Sequence, residues 1–249
     1  MESYTIVCKN RSFGRLVRFS YETVQDAKKM GNILMATVGT WGAEYPRTKE
    51  LFYSKFFTKG YFTAGHDVFD NSITGVVSDP SGNKIYDGQT FFAAAHPDKV
   101  GGTYSNVSAS ATLTVDNLKT VYNTFTITNN RNERGEIIDL MPDTILIHPA
   151  LRFTAQEILN SSLIPDSVDN TINVLASIVQ PIVWPYLAGS DDWYLLKRKM
   201  GLMATEREDV SIDFWQDEVN LSYYARIFCR FGGVVSNWRG AYGANLPTS

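Results

Sequence analysis

The residues best suited to chemistry lie in one stretch, "DGQTFFAAAHPDKVGG", Asp87 to Gly102. It sets His96 before Pro97, flanks the pair with Asp87 and Asp98, and ends on Gly101-Gly102, an arrangement that can present an imidazole to a substrate. General acid–base work needs a carboxylate or carbonyl to orient the ring and a second group to exchange the proton. Asp98 is two residues away on an irregular stretch, and spacing alone does not build that geometry. The expectation is a loop histidine held by backbone hydrogen bonds, with no catalytic role; a small hydrolase or metal enzyme using His96 is the chemical rival.

Other constellations are weaker. His66, His96 and His148 show neither the i, i+4 pairing nor the Cys-x-x-Cys spacing that zinc ligands favour, so no metal is expected. In "DPSGNKIYD", Asp79, Ser81, Asn83 and Asp87 imitate the start of a calcium loop. Lys84 stands where such a loop needs glycine, and Thr90 where it needs a bidentate glutamate, so the run reads as a polar turn. The phosphate-loop ending GK[ST], a G-x-G-x-x-G after a strand and the G-x-S-x-G elbow are all missing, so no cofactor is expected. The basic clusters "RSFGRLVR" and "LLKRKM" suit phosphate, but solvated strand edges carry such charges without any ligand.

The elements that must position these residues belong to a chain of 249 residues, 44% hydrophobic and 13% aromatic, enough for a sizeable core. Its 23 basic and 26 acidic side chains are mixed along the sequence, so charge names no partner. Cys8 and Cys229, the only cysteines, fall in strand-like stretches and read as buried free thiols. "MESYTIVCKN" is no signal peptide, and no apolar run reaches the roughly 20 residues of a membrane span. A soluble chain folded in the cytoplasm is expected.

"YTIVCKNRSFGRLVRFSYETV" alternates as two extended segments or the returning arm of a hairpin, whose partner strand lies elsewhere in the chain, in another subunit or outside this chain. From an N-cap at Ser20 the period turns helical and continues past Pro46, where a kink or a restart is expected, to Gly60; this spine is on the order of 50 Å long. Residues 60–108 read as loop with small strands. A helix from Thr114, a buried strand "DTILIHP" and a helix "ALRFTAQEILNSS" follow. Strands are expected in "NVLASIVQPIVWPYL" and "DDWYLLKRK", and two more at the C-terminal end, broken at Gly232-Gly233. If Leu34, Val38 and Trp41 face the strand Val219–Phe231, then Leu221, Tyr223, Ala225, Ile227 and Cys229 share its inner face. Ser222, Tyr224, Arg226, Phe228 and Arg230 then point outward.

Taken in order, "GRLVRFSYETVQD", the long helix, "DGQTFFAAAHPD", "DTILIHPALRFTAQEILNSS" and "REDVSIDFWQDEVNLSYYARIFCRFGGVVSNWRGAY" resemble the major capsid proteins of tailed phages with the Hong Kong 97 fold, in particular the major head subunit of Mu-like phages. The resemblance spans nearly the whole chain. It implies an α+β fold with a long spine helix, peripheral and axial domains and a partial extended loop. Residues 1–19 would be the remainder of that loop, 20–108 the peripheral domain, 109–206 the axial domain, 207–231 a strand returning to the peripheral domain and 232–249 a tail returning to the axial domain. An N-terminal arm and the loop's first strand would precede Met1, so the chain reads as a fragment, a short relative or one piece of a divided capsid protein.

The function implied is structural: self-assembly into an icosahedral shell around double-stranded DNA, in a virion assembled in the bacterial cytoplasm. An encapsulin-like nanocompartment shell is the alternative. The expected partners are copies of the chain as hexamers and pentamers, scaffold, portal and decoration proteins, and packaged DNA through weak non-specific contact, with no membrane. The candidate structural and assembly residues are Arg11, Arg15, Arg18, Trp41, Asp87, Gly88, His96, Pro97, Arg226 and Arg230. Asp87-Gly88 would form a turn, Phe91 and Phe92 would bury, and His96-Pro97 would end the segment.

Overall fold

The computed structural model describes residues 6–26, 30–62, 66, 68–69, 72–74, 83–161 and 172–246. In chain order they form β1 (Ile6–Cys8), β2 (Arg11–Phe19), α1 (Tyr21–Asp26), α2 (Met30–Thr58), β3 (Ser72–Thr74), β4 (His96–Pro97), β5 (Thr103–Tyr104), β6 (Val107–Ser108), α3 (Val115–Asn123), β7 (Thr144–Ile147), α4 (Arg152–Asn160), β8 (Gln180–Val183), β9 (Trp193–Leu196), β10 (Leu202–Gln216), β11 (Tyr223–Val235) and β12 (Ala241–Ala244). The chain divides into two compact units. The first holds residues 1–7, 54–203 and 234–249, and the second 8–53 and 204–233. Residues 54–108, expected to go with the spine helix, therefore belong with 109–203, and 108/109 is not a unit boundary.

The first unit is built on a five-stranded sheet in the order β6-β12-β9-β7-β8. β7 runs parallel to β8 and antiparallel to β9, pairing Ile145 with Leu195 and Ile147 with Trp193. All four β7 residues are buried, which is why an unbroken apolar run rather than an alternating one encodes this strand. Thr114 caps α3 by accepting from the Asn117 amide at 3.2 Å. From there Leu118, Val121 and Phe125, the last in a single π turn, enter the same core as Ala155, Ile158 and Leu159 of α4. The Trp193 indole meets the Ala111 carbonyl at 2.8 Å, satisfying its N–H within that core.

Asp192, beside β9, is buried, and desolvation, with the neighbouring charge of Asp191 adding to it, pushes its carboxyl up to about 6. Between the ordinary carboxylate value and about 6 the folded chain thus binds more protons than the unfolded one. The stabilisation from this group is complete at the acid end and lost as pH rises through 6. Asp192→Asn should flatten this part of the stability profile between pH 4 and 7; a steeper fall toward pH 7 in the variant, followed by thermal unfolding, would contradict the assignment.

The second unit carries a three-stranded sheet, β10-β11-β2. β2 lies antiparallel to β11, from Tyr223 opposite Phe19 to Phe231 opposite Arg11. Ser20 caps α1 as expected, accepting from the Thr23 amide at 3.2 Å. α2 has 29 residues, about 44 Å at 1.5 Å per residue, and runs on through Pro46 without restarting. Val38 and Trp41 of this helix pack with Ala225, and Val17 and Ile227 close against them. Phe13 stacks on Phe231 at 4.3 Å. The inner set of β11 is thus the alternating one, from Ala225 to Phe231.

Several expectations change. The stretch expected as one returning strand is two: β10, fifteen residues long, and β11, joined by a turn in which Leu221 has φ +57°. Leu221 is accordingly outside the strand and half exposed, whereas Ser222 is buried and accepts from Arg18 Nε at 3.1 Å. β11 is not broken at Gly232-Gly233. A Cβ on Gly232 would come within 2.9 Å of the Lys9 carbonyl oxygen, so glycine there permits close backbone approach. Both cysteines are free thiols, and burial pushes that of Cys229 up.

Candidate functional site

The Asp87–Asn106 region folds back on itself in short steps. The Gly88 amide donates to the Ile85 carbonyl at 2.9 Å and Gly88 has φ +82°, the left-handed conformation glycine adopts without strain. One oxygen of Asp87 accepts from the Gln89 amide at 3.0 Å, completing the turn. Phe91 and Phe92 are buried, with Phe92 5.3 Å from the Tyr194 ring. Asp98 Oδ1 accepts from the Val100 amide at 3.0 Å and also from that of Gly102, holding the bend between β4 and β5.

His96 is fully buried, and side chains hold it rather than the backbone. Nδ1 lies 2.6 Å from Asp87 Oδ2, and Nε2 lies 3.0 Å from Asn106 Oδ1. The Asn106 amide is oriented by its surroundings. Its Nδ2 donates to the carbonyls of Phe91 at 2.8 Å and Ala241 at 3.2 Å, while its Oδ1 also accepts from the Ala93 amide at 2.9 Å. Both His96 nitrogens therefore face side-chain oxygens. The ring stacks on Trp238 at 4.2 Å with an interplanar angle of 7°.

The Asp87–His96 pair has the outline of a catalytic dyad but not its function. A general base needs a free ring nitrogen facing a reacting group, and here the second nitrogen is bonded to a carboxamide inside the core. The arrangement locks the loop onto the strands around Asn106. His66 and His148 are local caps whose Nδ1 atoms accept from Val68 and Ala150 amides, each at 3.2 Å. Asn83, in the calcium-like run, donates to the Lys59 carbonyl at 2.8 Å; Asp79 and Ser81 lie outside the described residues. Among the described residues no cluster of His, Cys, Asp and Glu could hold a metal ion.

The candidate arginines do not converge on one site. Arg15 pairs with Glu44 at 3.1 Å, and both line a cavity of about 210 Å³ together with Phe13, Trp41 and Cys229. Arg226 binds Asp213 at 2.7 Å on the outer face of the three-stranded sheet, with its guanidinium over both Trp215 and Phe228. Trp215 in turn stacks on Tyr224 at 5.3 Å. Arg11 and Arg230 lie on β2 and β11, opposite Phe231 and Ser12 respectively. Sequence reasoning missed Asn106 and Trp238, which complete the His96 cluster, and also Arg239. The only available signal was a set of polar and aromatic residues, "NWRG", in an otherwise apolar C-terminal stretch.

A family model for phage capsid protein matches residues 5–244. No curated protein matches the chain. A solved structure from Mycobacterium phage Patience is similar with a TM-score of 0.51 at 9% identity, over 99% of this chain and 72% of that one. The capsid of Myoviridae phage XM1 follows with a TM-score of 0.48 at 10% identity, over 95% and 73% of the two chains. The holo-SrpI encapsulin of Synechococcus elongatus PCC 7942 has a TM-score of 0.44 at 11% identity, over 96% and 74%. Of these, only the first passes 0.5, and at such identity it speaks to the fold alone. The family match along nearly the full length, on a structure of the Hong Kong 97 type, means that the chain belongs to the phage capsid proteins and that its role is structural rather than enzymatic.

Proposed function

We propose that the chain is the repeating subunit of an icosahedral shell that encloses double-stranded DNA, assembled from hexamers and pentamers in the bacterial cytoplasm. The observation that carries this reading is the family match over residues 5–244. Under it, the second unit corresponds to the peripheral domain with its spine and the first unit contains the axial domain. Scaffold, portal and decoration proteins are the further partners, and packaged DNA makes only weak, non-specific contact. No described helix is long and apolar enough to cross a membrane.

The outer face of the second unit's sheet is the assembly surface in this reading. Leu16 is 55% exposed and Trp215 42%, and Arg18 and Arg226 stand among them. Apolar side chains left open beside charges suit repeated contact with other copies, and heterologous contacts of that kind close into shells. Expression of the whole capsid protein, followed by gel filtration and electron microscopy, tests it: closed particles containing nucleic acid are expected. A chain that stays monomeric under all assembly conditions, scaffold included, would end the reading.

Arg226→Ala provides a finer check. Its bond to Asp213 is exposed, so its loss should cost the subunit about 1 kcal/mol or less. Particle yield should fall nonetheless, and more at low salt, where exposed charge contacts are least screened. An unfolded Arg226→Ala subunit would place this side chain on the wrong face.

A further inference from the structure

In the first unit a cavity of about 170 Å³ is lined in part by Asn132, Glu133, Ser236, Asn237 and Arg239. Arg239 is only 3% exposed. Its guanidinium lies over the Trp238 ring, 4.4 Å from the centroid, and Nη1 donates to Glu133 Oε1 at 2.6 Å. Among the described residues Nε and Nη2 have no hydrogen-bond partner, and neither has Glu133 Oε2, although all three atoms are buried. Trp238 covers one face of the guanidinium and Glu133 takes one of its edges. The remaining edge presents two parallel N–H groups, the fork that grips an oxygen acceptor.

Leaving charged groups buried and unsatisfied is costly, so this constellation is incomplete in the isolated chain. Its charge decides what completes it. Arg239 is already neutralised by Glu133, and a second carboxylate or a phosphate would bring an unbalanced negative charge beside Glu133 Oε2. A neutral partner with an acceptor for the fork and a donor for that oxygen meets all three needs, and one extended residue supplies both, because its own N–H and C=O point to the same side. In a shell of identical subunits the chain most available to each copy is another copy.

We propose that the Arg239–Glu133 cavity receives one extended main-chain residue from a second copy of this chain, its C=O on Nε and Nη2 of Arg239 and its own N–H on Glu133 Oε2. The proposal rests on the shell reading above. Its test uses the whole capsid protein carrying Arg239→Lys, which keeps a charge for Glu133 and removes the fork. The melting temperature of the unassembled protein should fall only by what the lost stacking on Trp238 costs, and by less than the yield. The yield of closed particles should drop by about tenfold, the equivalent of one charged hydrogen bond per copy. A density map of wild-type particles should show a carbonyl from a neighbouring copy within hydrogen-bond distance of Arg239.

Glu133→Gln keeps one oxygen for Nη1 and sets an NH2 against the incoming N–H; it leaves the Arg239 charge unbalanced, so some subunit stability is lost, but yield should fall further than that loss explains, and it decides the matter if the lysine variant fails to fold. Unchanged yield in both variants, loss of subunit stability in step with yield, or wild-type particles with only water in the cavity would each overturn the proposal. In all three cases the shell reading survives. Wild-type protein that forms no particles would end both.

Discussion

Asn106→Ala is expected to lower the melting temperature of the first unit by about 10 °C, a cost on the order of 4 kcal/mol. The side chain is fully buried and bonds groups of five residues, Phe91, Ala93, His96, Trp238 and Ala241. Removing it strands the Ala93 amide and His96 Nε2, and unpairs the carbonyls of Phe91 and Ala241. Water cannot replace those partners without opening the core, so the unmet donors dominate the cost. Asn106→Asp separates this account from simple loss of volume. It keeps an oxygen for Ala93 and His96 but turns a second oxygen toward carbonyls, so it should destabilise at neutral pH and recover in part in acid, where a protonated carboxyl again donates. An alanine variant within about 1 kcal/mol of the parent in thermal unfolding would show that the cluster is not the lock described.

What the sequence made legible and what it hid follow from how local the determinants are. β7 and α4 could be read from "DTILIHP" and "ALRFTAQEILN" because an apolar run and a helical period are properties of neighbouring residues. The Asp87-Gly88 turn was legible for the same reason, as was the inner face of β11. β10 was hidden because Glu206 to Asp209 put four charges in a row, and its alternation shows only once β11 is known to lie beside it. The His96 cluster was half visible. Asp87 lies nearby in the sequence, but Asn106 and Trp238 reach the ring only through tertiary packing. Gly232-Gly233 misled because glycine weakens strands in general, while here a neighbouring backbone needs the space. The phrase that looked most chemical was therefore encoding a buried polar knot, and its meaning depended on partners that no spacing rule could supply.

Trp41→Ala should cost the second unit about 3 to 5 kcal/mol, the range for removing a buried large aromatic side chain. Trp41 is 2% exposed and, among the described residues, shares its cluster with the buried Val38 and Ala225 and the partly buried Val17 and Ile227. The change also widens the cavity beside Phe13 and Cys229 and removes the ring beneath Arg15, whose Cζ lies 5.7 Å from the indole centroid. The core of the first unit is a separate cluster of residues from α3, α4, β7, β9 and β12, so its packing does not depend on Trp41. Hydrogen exchange should accordingly show protection lost in β2, in β11 from Tyr223 to Phe231 and in the Val38–Tyr53 part of α2, while β7 and β9 exchange as slowly as before. Trp41→Phe, which keeps an aromatic ring, should recover much of the loss. Equal loss of protection in β7 and β9 would mean that the two units unfold as one and that Trp41 supports a single shared core; unchanged protection everywhere would mean that the helix does not depend on this contact to hold the sheet.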